Sequence, residues 1–196
     1  MGTKKRESAA RTRTGMPKVA TRGVHFPDLS GNRSGILREN SLKIHLVCVG
    51  KMKNPALRSL AEEYAGRIGR FASFEVVELR DGKAADGASR LAEEAKSIAA
   101  ALEKGAGFAN TILFDERGDA PDTPAFARLL DKAMQRAPAI DFVIGSSHGV
   151  DPALKKKIPV HLRLSSLTLT HEWARAFSLE QVYRAFCVLK GLPYHH

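Results

Sequence analysis

Apolar positions along this chain follow two habits. Short, nearly continuous runs occupy residues 43–50, 74–79, 111–114, 140–144 and 161–164. A run apolar on both alternating faces marks a strand covered on both sides. Between the runs, apolar residues return at helical spacing. Leu57, Leu60, Ala61, Tyr64 and Ile68 follow Asn54-Pro55, a helix cap with proline at the first helical position. Leu91, Ala95, Ile98 and Leu102 predict a second helix over about 88–104, halted by Gly105 and Gly107. Asp122-Thr123-Pro124 opens a third, with Phe126, Leu129, Leu130 and Met134 inward. Asp151-Pro152 opens a short fourth that ends in Lys155, Lys156 and Lys157, and a last helix spans roughly 172–190. Strands and helices alternating five times predict an α/β fold: a mostly parallel sheet with helices on both faces. Ligands bind such sheets beyond the C-terminal ends of the strands. Three ends are equipped for it: Phe114-Asp115, Gly145-Ser146-Ser147, and the stretch Ser165, Ser166, Leu167, Thr168, Leu169, Thr170.

Composition refines this picture. With 43% hydrophobic and 27% charged residues among 196, the chain is expected to fold around a sizeable core. The net charge of +10 is uneven: residues 1–41 hold nine Lys and Arg against three Asp and Glu, which leaves +4 for the remainder. Charge alone is therefore a weak argument for a nucleic-acid partner. Residues 1–41 show no apolar period and are expected to form a disordered basic extension, read as a misassigned start, an RNA-contacting tail or a transit-like segment. The domain is expected over 42–196. Cys48 and Cys187, each among apolar neighbours, read as buried free thiols of a reducing, cytoplasmic compartment. No run of 18 apolar residues predicts a membrane span.

Several residue groups carry chemistry. Gly145-Ser146-Ser147-His148-Gly149 fits the Gly-x-Ser-x-Gly nucleophile elbow between a strand and a helix. A serine hydrolase would use Ser147 with Glu180 and His195, although five strands make a small sheet for that class. The same residues also suit a turn whose glycines allow positive φ, or one that lets backbone approach a flat ligand. The hydroxyls of 165–170 suit a cap on the last helix. His171 stands at that helix start. Ala176, Leu179, Val182, Tyr183 and Phe186 form its apolar stripe, and Glu180 with Arg184 an i,i+4 pair. The three lysines 155–157 read as a solvated helix end. No His, Cys or acid stands at metal-ligand spacing with His195-His196, so no metal is expected.

Three segments carry a resemblance: Leu167-Thr168-Leu169-Thr170-His171, then Leu179-Glu180-Gln181-Val182-Tyr183-Arg184-Ala185-Phe186, then Gly191-Leu192-Pro193-Tyr194-His195-His196. Over about 42–196 the chain resembles the RlmH family, SPOUT-class methyltransferases of large-subunit ribosomal RNA. The resemblance implies an α/β knot fold whose C-terminal segment threads a trefoil knot. It implies a homodimer that holds S-adenosyl-L-methionine in the knot and methylates N3 of a pseudouridine in 23S rRNA of the assembled ribosome. Carried over by position, cofactor contacts fall on Phe114, Gly145, Ser146, Ser165, Ser166, Leu167, Thr168, Leu169 and Thr170. Catalytic residues fall on His171, Arg175, Tyr194 and His195. His195 or His171 would serve as base, Arg175, Arg184 and the lysines would meet phosphate, and Tyr194 would stack on an unpaired base. Three positions depart from the family's pattern: Ser146 replaces a second glycine, which sets a side chain against the cofactor; Thr170 replaces a proline, which loosens the turn; Glu172 replaces Gln. A non-catalytic RNA-binding domain that has lost methyl transfer is the alternative these departures raise.

Overall fold

The computed structural model describes residues 42–194; the expectations placed on 1–41 and on His195 lie outside them. Five strands and five helices alternate: β1 (Lys43–Val49), α1 (Pro55–Ile68), β2 (Ser73–Leu79), α2 (Gly87–Lys104), β3 (Thr111–Asp119), α3 (Thr123–Arg136), β4 (Ala139–Ile144), α4 (Pro152–Lys155), β5 (Val160–Leu162) and α5 (His171–Lys190). The sheet runs β2-β1-β4-β3-β5 and every pairing is parallel. This is the α/β architecture that the apolar runs predict.

The period of two in each strand sorts the core onto two faces. Ile44, Leu46, Cys48, Ile112, Ile140, Phe142 and Ile144 point to one side, under α1, α3 and α5. Val47, Val49, Leu113 and Val143 point to the other, under α2 and α4. β1 and β4, the apolar-rich strands, accordingly lie inside the sheet, whereas β2, with Glu75 and Glu78, takes an edge. The helix caps follow the sequence signals: the carboxamide oxygen of Asn54 accepts from the amides of Ala56 and Leu57, and Asp122 and Asp151 cap α3 and α4 in the same way. Both cysteines are buried and free.

Two boundaries differ from expectation. β3 runs past Phe114 to Asp119, because Leu162 meets Phe114 and then Asp119 across the ladder while the intervening residues bulge outward. The amide of Arg163 donates to the carbonyl of Asp119 at 2.8 Å and closes this return. β5 in turn stops at Leu162, which frees Arg163 and Leu164 to leave the sheet. Gly118 permits the crossing, since a Cβ there would come within 2.5 Å of the Leu162 nitrogen.

In the first half of β4 sits a buried carboxylate. Asp141 is 0% exposed and is register partner of His45. His45 Nδ1 donates to it at 2.7 Å, and the Ala106 amide donates at 2.8 Å. Burial pushes the Asp141 carboxyl above the usual carboxylate range, against the pull of the His45 and Ala106 hydrogen bonds. Asp141→Ala leaves both donors without a partner and is expected to lower the unfolding free energy by about 2–4 kcal/mol, read as a fall in the urea midpoint.

Candidate active site

The C-terminal ends of β4, β3 and β5, neighbours in the sheet, open onto one cleft of about 1040 Å³. Phe114, Gly145, Ser146, Ser165, Leu167, Thr168, Leu169, Thr170 and His171 all line it. Phe114, half-buried, stacks on Phe142 with centroids 5.6 Å apart, so its ring is held where β3 parts from β4.

The turn after β4 is tight. The Gly149 amide donates to the Ser146 carbonyl at 2.9 Å, and these two residues form an isolated bridge. Gly149 holds φ +84°, and a Cβ on Gly145 would collide with the Gly149 carbonyl, so both glycines are needed. The Ser146 hydroxyl accepts from the His148 amide at 3.3 Å and is thereby folded into the turn. Ser147, exposed, has its Oγ 3.3 Å from His148 Nδ1. The helix that follows begins only at Pro152. A nucleophile elbow passes from serine straight into its helix; here Ser147 sits within a closed turn instead. Glu180, the acid of that reading, is occupied by Arg184, Gln181 and Tyr194 and does not border the cleft. The hydrolase reading is therefore wrong on geometry.

Residues 165–170 leave the sheet without regular structure and return as α5. Ser165 Oγ accepts from the Leu167 amide at 2.9 Å, and Leu167 projects outward, 77% exposed. Thr170 caps α5: its hydroxyl accepts from the Trp173 amide at 3.3 Å, and its φ is −64°. That is the φ a proline would impose. The turn keeps that conformation without the ring, and it gains a cap that proline lacks. Glu172 accepts from the amides of Lys53 and Asn54 at 3.1 and 2.8 Å, which joins the start of α5 to the start of α1. These bonds hold its carboxyl below the usual range.

One wall of the cleft is an ion pair. Lys155 meets the carboxylate of Asp115, which also accepts from the Arg117 amide at 3.0 Å. His161 Nε2 donates to the Lys155 carbonyl at 3.0 Å. Burial alone would raise the Asp115 carboxyl, but the Lys155 ammonium and the Arg117 amide outweigh it and hold it low. Lys155 is thus no solvated helix end. No signal in the sequence marked it, because only the strand order β4-β3-β5 brings α4 past β3.

Other candidate residues lie elsewhere. Arg175 is 1% exposed; its guanidinium donates to the Val49 and Gly50 carbonyls and to Glu78. Phosphate does not reach it. Arg184 is paired with Glu180 and donates to the Tyr194 carbonyl at 3.2 Å. Tyr194 is anchored rather than free to stack: its ring meets Tyr183 edge-on at 4.8 Å and its hydroxyl donates to Glu180 at 3.1 Å. Burial, with Tyr64 and Glu180 beside it, pushes its phenol well up. Ser166 is exposed and does not border the cleft. Asn54, read from the sequence only as a helix cap, also borders it, as do Arg117 and Trp173, which carried no local signal. Among the described residues no group of three His, Cys, Asp or Glu could hold a metal, and no helix is long and apolar enough to cross a membrane.

An all-parallel α/β sheet with a cleft across three adjacent strand ends has the layout in which open α/β sheets take up ligands. The chain belongs to the SPOUT methyltransferase family, whose description as "Predicted SPOUT methyltransferase" matches residues 42–195. It is 38% identical over 156 residues to a Ribosomal RNA large subunit methyltransferase H of Geobacter sp. (strain M21), covering 79% of this chain and 99% of that protein. Proteins of the same description from Rhodopseudomonas palustris (strain BisB5) and Gloeobacter violaceus (strain ATCC 29082 / PCC 7421) are 37% and 36% identical, each again over 79% of this chain and 99% of the relative.

The Asp115–Lys155 pair gives the cleft an acid limit. The folded-state pKa of Asp115 lies below that of an unfolded aspartate, about 3.9. Its contribution to stability is therefore complete above that pH and is lost as the pH falls through the lower folded value. In thermal melts, the Tm gap between wild type and Asp115→Asn is expected to be constant near neutrality and to close below about pH 4.

Proposed function

We propose that this protein is an S-adenosyl-L-methionine-dependent methyltransferase acting on N3 of a pseudouridine in 23S rRNA of the assembled ribosome, in the cytoplasm. The observation that carries this reading is the shared cleft: Phe114, the Gly145-Ser146 turn, Ser165 and residues 167–170 follow three separate strands and border one space. The relatives described as acting on large-subunit ribosomal RNA support the substrate class.

The residues present fit the cofactor. The cleft combines an aromatic ring at Phe114 and aliphatic side chains at Leu164, Leu167 and Leu169 with the hydroxyls of Ser165, Thr168 and Thr170. Glu116 and Glu172 add carboxylates, which suit a ligand bearing a sulfonium and an ammonium. Phe114, Gly145, Ser146, Ser165 and 167–170 would hold it. When bound, it supplies an electrophilic methyl group, so the protein's part is position and proton handling. N3 must lose its proton to attack. His171, half-buried in the cleft at the start of α5, offers an imidazole nitrogen to accept that proton. Arg175 supports His171 by fixing α5, as a positioning residue.

The same reading has residues after β5 thread the trefoil knot and two copies pair as a homodimer. Trp173 and Phe177, four apart on α5, are 52% and 36% exposed beside the exposed Leu167, an apolar face that a second copy would cover. Tyr194 is held away from the cleft of its own chain. A catalytic part for Tyr194 therefore requires the cleft of the partner.

Tritiated methyl transfer to ribosomes lacking the modification, with the nucleotide located by mass spectrometry, tests the activity. Calorimetry that detects no S-adenosyl-L-methionine binding would instead favour a non-catalytic RNA-binding domain. His171→Ala is expected to cut turnover by about 10²- to 10⁴-fold while cofactor binding stays unchanged. Undiminished methylation removes His171 as the base.

A further inference from the structure

A second depression, of about 360 Å³, lies between α3 and the starts of β3 and β5, at the edge of the sheet. Its helical wall is one continuous stripe: Ala125, Arg128, Leu129, Lys132, Ala133 and Arg136. Ile112 and Val160, register partners, form part of its floor. Arg128, Lys132 and Arg136 are exposed and have no carboxylate partner among the described residues. Arg67, Arg175 and Arg184, by contrast, are each ion-paired. The single acid of α3, Asp131, is engaged by the Gln135 side chain at 2.8 Å.

The position matters as much as the charge. Ile112 of the groove and Phe114 of the cleft are two residues apart on β3, hence on the same face and separated by about 7 Å. Groove and cleft are thus consecutive along one strand. From Arg128 to Arg136 the helix rises about 12 Å, with a cation at each step of about 6 Å. Successive phosphates of an RNA strand stand at a comparable spacing. Unpaired cations on a shallow, partly apolar groove suit a polyanion whose backbone is tracked without reading its bases.

We infer that the α3 stripe Arg128, Lys132 and Arg136 is a phosphate-tracking surface for the ribosomal RNA strand that continues from the base seated in the cleft. This rests on the ribosomal RNA reading above. The surface contributes to holding substrate and stands apart from methyl transfer, so it should govern KM and salt dependence and leave kcat alone.

The test is the triple variant Arg128→Gln, Lys132→Gln, Arg136→Gln, checked for folding by circular dichroism and for cofactor binding by calorimetry. On ribosomes lacking the modification, KM is expected to rise about tenfold with kcat at saturation unchanged. The slope of log affinity against log salt is expected to become shallower by about 2 to 3. A companion variant that keeps the charges, Arg128→Lys with Arg136→Lys, should behave as wild type. Wild-type methylation with an unaltered KM and salt slope in the triple variant overturns the inference. So does a raised KM with an unaltered slope, which marks a protein contact. If the wild type methylates no ribosome, the functional reading fails. The stripe is then judged by the salt slope for binding the isolated rRNA hairpin, where an unaltered slope again rejects it.

Discussion

The guanidinium of Arg175 reaches from the second turn of α5 to the carbonyls of Val49 and Gly50 at the end of β1, and to Glu78 on β2. Carbonyls at a strand end have lost their ladder partners, and a buried cation is costly unless such acceptors surround it. Each need meets the other, although Arg175 Nε stays buried without a partner. The consequence is positional. α5 cannot slide along the sheet without breaking three contacts, so His171 and the cap at Thr170 are fixed relative to the strand ends. Glu172 adds a second tie, to the amides that open α1. Together they hold the last helix by its first two turns, the part nearest the cleft.

From that anchor the cleft follows. β3 overruns its ladder and bulges, β4 stops in a turn too tight for a side chain at Gly145, and β5 ends after three residues. Each irregularity occurs at a C-terminal strand end, where parallel sheets leave room for ligands. The regular parts of the same strands pack on both faces with two separate sets of apolar residues. A packed sheet therefore carries three deformed tips, which bring backbone and small hydroxyls to one cleft. The departures Ser146 and Thr170 are absorbed locally, by a hydrogen bond to the His148 amide and by the cap on α5.

Much of this was legible in the residues. Continuous apolar runs marked the strands, Asn54-Pro55, Asp122 and Asp151 marked the helix starts, and the small residues at 145–149 and 165–170 marked the tips. The Gly-x-Ser-x-Gly match misled because a short pattern does not reveal whether a helix follows at once or several residues later. Arg175 read as a phosphate ligand because an arginine on an amphipathic helix gives no local sign of burial; only the contact with β1, some 125 residues earlier in the chain, decides it. The contacts of Tyr194 were hidden for the same reason, since its partners are Tyr64 and Glu180.

By itself, then, the order of residues determined which segments are strands, which are helices, where each helix begins and which loops are small enough to admit a ligand. Those properties depend on neighbours within a few positions: the alternation of side chains, a cap, a missing Cβ. The tertiary structure decided which strand ends become neighbours, that Lys155 meets Asp115, and that Arg175 is a tie within the protein rather than a hand held out to RNA. Such facts arise from contacts between residues far apart in the chain, and no local pattern encodes the charge or carbonyl that waits on the other side.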